Sequence, residues 1–313
     1  MGMQATPGRT PHFSTAASWG RTVRELMADL VRVGRFGPVA AYQWAGYACG
    51  ALLVASGLFH AMVYLVDGGG WEGPLSWRKP IVFGLSFGLT VLTVTWFMLF
   101  LRPRRVLGWL FIGVFSLASV AEVALISMQT WRGVPSHFNE STTFDSNVFG
   151  WMGMLVSVVV LLTVLLTAWS FVRIDAPRSL ALAIRLGLVI LLVGQGVGVQ
   201  MIAVGGNTFG AHGALKVPHA LTLHAIQVLP ALALLLLVSD VVEEQRVRLV
   251  ALGAVGYGLM IAATMVEVYG GHAPLRPPVT ALLLAVCGLA VLLTSVVLAL
   301  RGLASRSRHP DLA

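Results

Sequence analysis

The chain has 313 residues, of which 57% are apolar and 11% charged, with a mean hydropathy of +0.83 and a formal net charge of +8. Several runs of about 20 residues carry no charge, which excludes a soluble globular protein and defines an all-α, polytopic transmembrane bundle. The two cysteines, Cys49 and Cys287, fall within separate apolar runs, which excludes a disulfide framework and a thiolate metal site.

Residues 1–38 are polar and basic and lack the apolar core of a signal peptide. Within them, residues 19–35 alternate apolar and basic positions at helical spacing, as an interfacial helix on an anionic leaflet does. The expected division is a cytoplasmic basic leader (1–38), a membrane domain (39–300) and a cytoplasmic tail (301–313). Eight spans are expected, at roughly 39–66, 81–101, 106–128, 150–173, 179–205, 219–239, 249–269 and 279–300.

With the N-terminus inside, fifteen of the 21 Lys and Arg residues fall on the cytoplasmic side; five (Arg78, Lys79, Arg132, Lys216 and Arg276) fall outside, and Arg185 lies within a span. That bias places both termini in the cytoplasm, and the arginine- and alanine-rich composition fits a bacterial inner-membrane protein. The positive charge is thereby a topology signal, and nucleic acid is not expected as a partner. The expected partners are the lipid bilayer and a small or lipid-soluble ligand from the outer side.

The inner connections are short, whereas the outer ones are long and rich in Gly, Pro, His and aromatics. The chain also hints at a four-plus-four repeat. Lys79-Pro80 opens span 2 and Lys216-Val217-Pro218 opens span 6, while spans 3 and 7 carry Glu122 and Glu267 toward their outer ends.

The densest polar chemistry runs from Ser119 to Asn139, where Glu122, Gln129, Arg132 and His137 follow one another. Counting ~1.5 Å per residue from each outer end, His60 and Glu122 lie roughly 9 Å deep, and Gln200 and His224 roughly 8 Å. Polar side chains in hydrocarbon are costly and normally face the bundle interior in pairs. The expectation is an outward-facing polar cavity lidded by the long loops.

Two histidines and a carboxylate at one level match the ligand types of a non-haem transition metal centre: His60, Glu122 and His224. His60 with His224 also offers a bis-histidine pair for haem. Glu122 and Glu267 are the candidate acid–base groups. Gln129, Arg132, His137, Asn139, Gln200, His219, Gln227, Lys79 and Lys216 are the candidate substrate and lid contacts. Each residue also has a plainer role available, as an interhelical hydrogen bond or, for Lys79, a headgroup anchor. The first reading is a metal or haem site in redox chemistry. The alternatives are a proton-coupled transporter, an acid–base enzyme acting on a lipid-soluble substrate, and a non-catalytic assembly subunit.

Three segments carry a resemblance: SWRKPIVFGLS opening span 2, QTWRGVPSHFN after span 3 and HALTLHAIQ in span 6. Together they resemble a family of uncharacterised bacterial multi-pass membrane proteins across spans 1 to 7. The resemblance implies that His137, His219, His224 and Gln227 occupy motif positions, and it brings no activity. The basic leader and His212 depart from the pattern. Haem A synthases share eight spans in two halves, but spans 2, 4 and 8 here lack histidine, so that function is not carried over.

Overall fold

The structure, a computed structural model, describes residues 39–274 and 276–306. The expected amphipathic leader helix, and the tail beyond residue 306, lie outside the described residues. The helices are α1 (Ala41–Asp67), α2 (Arg78–Leu101), α3 (Arg105–Trp131), α4 (Thr143–Val172), α5 (Arg178–Ala203), α6 (Lys216–Leu223), α7 (Ala225–Val238), α8 (Glu243–Tyr269) and α9 (Val279–Arg306). Between α5 and α6, β1 (Thr208–Phe209) pairs antiparallel with β2 (Gly213–Ala214).

Among the described residues, eight segments are long and apolar enough to cross a membrane, with α6 and α7 together making the sixth. The expected eight-span, all-α architecture is therefore observed. Two details differ from the expectation. The fourth span starts at Thr143, seven residues earlier than hydropathy placed it, because the Thr142 hydroxyl accepts the Asp145 N–H and caps a polar first turn. The sixth span is interrupted at His224, six residues before Pro230, which has no N–H to give the helix ladder.

Small residues set the tightest helix contacts. A Cβ on Gly84 of α2 would lie 2.8 Å from the Gly57 backbone of α1, and one on Gly256 of α8 would lie 2.7 Å from the Gly288 carbonyl of α9. In a bilayer, where apolar burial drives helix pairing weakly, such close approach supplies the packing energy. Gly84→Leu is expected to force α1 and α2 apart and to cost about 1–3 kcal/mol. Thermal unfolding in detergent measures it, and an unchanged midpoint would contradict this packing.

In the first half, α1 packs on α2 and α3, α2 on α3, and α3 on α4. In the second half, α5 packs on the sixth span and α8, the sixth span on α8, and α8 on α9. The halves meet where α4 lies against α5 and α2 against α7. Hydrogen bonds cross this seam from Gln195 Nε2 to Thr163 Oγ1 (3.0 Å) and from Gln227 Nε2 to Thr93 Oγ1 (3.2 Å). Beneath them, one apolar core built around Phe97, Phe100, Phe115, Leu188 and Leu229 runs through both halves. Large apolar side chains stay exposed along α1 (Leu52, Phe59, Met62) and α9 (Leu282, Val286, Leu293), as on faces that meet lipid chains.

Candidate functional site at the long-loop end

The α3 helix presents Ser119, Glu122, Ile126 and Gln129 on one buried face, following its 3.6-residue period. The first and last polar residues of this row are satisfied. Ser119 Oγ donates to the Phe115 carbonyl, and Gln129 Nε2 donates to Asp145 Oδ1 at 2.9 Å. Glu122 is different. It is 1% exposed, its Oε2 has no hydrogen-bond partner, and it forms no ion pair among the described residues.

Above Glu122, the α3–α4 loop is locked by a carboxylate that sequence reasoning passed over. Asp145, 2% exposed, accepts from Gln129, from the Thr142 hydroxyl at 2.7 Å and from Arg132 at 2.6 Å. The Arg132 guanidinium also donates to Gln129 Oε1 and lies over the Phe144 ring at 4.7 Å. The signal was present as Thr142-x-x-Asp145, the spacing of a helix-capping box. Asn139 pins the same loop from within, donating to the Pro135 carbonyl and accepting from Ser141. Gln129, Arg132 and Asn139 are thus brought together as the frame of a lid.

His137 sits beneath that frame. Its ring packs against Phe83, Phe138 and Phe149, and Nδ1 meets the Ser136 hydroxyl at 2.9 Å. Phe138, in contact with the ring, holds φ at 56°, a left-handed conformation costly for an aromatic residue. Burial, and then the positive charge of Lys79, push the His137 imidazole down to about 4 from 6.5. The Lys79 side chain is half-buried and forms no ion pair or hydrogen bond among the described residues.

The sign of the pH dependence follows. Between pH 6.5 and about 4 the unfolded chain takes a proton at His137 that the folded protein refuses, so stability falls by up to roughly 3 kcal/mol as pH drops through that window. His137→Phe is expected to flatten this slope in thermal unfolding series. A variant with the wild-type slope would contradict the burial of a neutral ring.

Between this level and Glu122 lies an apolar collar. Ile126 clusters with Val148 and Met152 of α4, flanked by Phe83, which stacks on Phe87 one turn deeper.

The remaining candidates take separate local partners. His60 donates from Nδ1 to the Ser56 carbonyl at 2.8 Å and accepts at Nε2 from Trp131 at 3.1 Å, within a cluster that includes Trp77. His219 Nδ1 donates to the Gly194 carbonyl, and Gln200 accepts from the Tyr269 hydroxyl. His224, at the break in the sixth span, donates to Gln227, which reaches across to Thr93. Lys216 pairs with Glu72 at 2.7 Å, joining the loops of the two halves, while Glu267 is half-buried without a side-chain partner among the described residues.

No hydrogen bond or ion pair connects His60, Glu122 and His224. Comparison with protein-family models, with curated proteins and with solved structures gives no match.

Both ring nitrogens of His60 are already bonded within the protein, so no lone pair is free for a metal or haem iron. No group of three or more His, Cys, Asp or Glu among the described residues is placed to hold a metal ion. The described residues therefore lend no support to the expected redox centre. What the geometry does assemble is a layered column of side chains at the long-loop end, with Lys79 and His137 outermost, the packed apolar cluster around Ile126 next and the buried Glu122 one turn further along α3.

Proposed function

We propose that the protein is a proton-coupled membrane transporter in which Glu122 carries the proton and the ligand enters from the long-loop end. The observation that carries this reading is the Glu122 carboxyl group, fully buried within a span with an oxygen that meets no donor. A buried ionised group without a partner costs several kcal/mol, and intramembrane carboxyls that persist under that cost serve proton or ion pathways.

Two further features support it. The Phe83, Ile126, Val148 and Met152 cluster packs one turn from Glu122 toward the loops and would occlude the route from them. The interruption of the sixth span at His224 is the kind of helix break that transporters use at ligand sites. The arginine excess supports placement in a bacterial inner membrane with both termini cytoplasmic. Membership of the bacterial multi-pass family stays part of the proposal, since its three motifs fall on the α2 start, the α3–α4 loop and the broken span.

The test is vesicle reconstitution with an internal pH dye, challenged with a panel of small organic anions, cations and lipophilic solutes. At least one solute is expected to drive proton movement in the wild type and not in Glu122→Gln. Undiminished movement in the variant, or none with any solute in the wild type, would contradict the proposal.

A further inference from the structure

The opposite end of the bundle holds a feature the transport reading does not use. Between the start of α1, the end of α2 and the start of α3 lies a cavity of about 630 Å³, lined by Tyr42, Gln43, Met98, Arg102, Arg105 and Trp109 among others. The turn that shapes it is unusual: Arg102 adopts φ 45°, a left-handed conformation, and Pro103 follows, so that Arg102 and Arg105 line one space.

The charges around this cavity do not cancel. Arg102 pairs with Asp175 at 2.6 Å, and the Gln43 amide is occupied by the Ala40 N–H and the Thr95 carbonyl. Arg105 and its neighbour Arg104 have no carboxylate partner among the described residues, which leaves an excess of two positive charges. No acidic side chain lines the cavity among the described residues.

The walls are those of an interfacial site. Met98 and Leu99 provide apolar surface at the cavity, Val106 and Leu110 stay exposed beside it, and Trp44 and Trp109 stand exposed on α1 and α3 at a depth where indoles prefer the headgroup layer. A guanidinium presents fixed, forked donors that match phosphate oxygens, and basic pockets between helices at the membrane surface hold anionic headgroups.

We propose that this cavity binds the phosphate headgroup of an anionic phospholipid, with Arg105 as the principal phosphate ligand and the acyl chains lying along Val106 and Leu110. A soluble phosphate would use the guanidinium but gain nothing from the apolar wall, and for that reason the proposal commits to the lipid. The site is independent of Glu122 and stands or falls separately from the transport reading.

The experiment uses delipidated full-length protein in a neutral detergent, titrated with phosphatidylglycerol, phosphatidylcholine or inorganic phosphate while thermal unfolding is followed. Phosphatidylglycerol is expected to raise the unfolding temperature saturably, and phosphatidylcholine and inorganic phosphate to leave it unchanged. Arg105→Gln is expected to weaken the apparent lipid affinity about tenfold or more, whereas Arg248→Gln, an exposed arginine at the same end of the bundle, leaves it as in the wild type. Stabilisation by phosphatidylcholine to the same extent, by inorganic phosphate alone, or equally in Arg105→Gln, would overturn the proposal. Circular dichroism of Arg105→Gln without lipid shows that the variant folds. Should it fail to fold, Arg105→Lys, which keeps the charge and loses the fork, is expected to bind more weakly than the wild type.

Discussion

Asp145→Ala is expected to lower the stability of the folded protein and to open the loop between α3 and α4. Asp145 is the common acceptor for Gln129, Arg132 and Thr142, and it is almost fully buried. Removing one member of a buried charge-assisted network leaves the others facing each other without a counter-charge, and that penalty exceeds the net worth of any single bond. Arg132 is 39% exposed and can swing into water, which keeps the expected loss at the lower end of the range for buried pairs.

Thermal unfolding reports the energy, and limited trypsin cleavage after Arg132 reports the loop. Both are expected to change together. If Arg132 is first replaced by Met, the further loss from Asp145→Ala is expected to shrink, because the stranded charge is gone. An unchanged unfolding temperature, or unaltered cleavage, would remove Asp145 as the keystone of the lid.

Glu122→Leu is expected to act in the opposite direction on stability and to abolish transport. The side chain is buried among helices and one carboxyl oxygen meets no donor, so its presence is a standing cost that an apolar residue of similar size relieves. A gain of about 1–3 kcal/mol is expected. Residues that lower stability while supporting activity are a recurring mark of functional sites, and the pairing of a higher unfolding temperature with lost proton movement is its signature. A Leu variant less stable than the wild type by a similar amount would mean that Glu122 holds the bundle together, and the transport role would fail with it.

The spans were legible in the sequence because hydrocarbon thickness fixes the length of an apolar run, and charge marks its ends. The same signal misplaced the start of α4, since Thr142 and Asp145 satisfy a polar first turn that hydropathy scores as loop. Glu122 was also legible, because a carboxylate in an apolar run stands out whatever surrounds it.

The partners of the polar residues were not legible, and the reason is geometric. Depth along a span follows from counting residues, but azimuth around the bundle depends on how helices pack, and His60, Gln200 and His224 at similar depth turn toward Trp131, Tyr269 and Gln227. Trp131 carried no signal of its own, because nothing in the chain links it to His60, 71 residues away. Glu72 likewise gained its meaning from Lys216, 144 residues further on, which draws its carboxylate below the ordinary range and ties the two halves at the long-loop end.

Infrared difference spectroscopy of the reconstituted protein, on stepping the pH of the medium facing the long loops, tests the role of Glu122 most directly. A carbonyl stretching band from a protonated carboxyl with no strong hydrogen bond is expected to change with the step in the wild type and to be missing in Glu122→Gln. A spectrum without such a band, or one in which the band persists in Glu122→Gln, would contradict the assignment of Glu122 as the proton carrier.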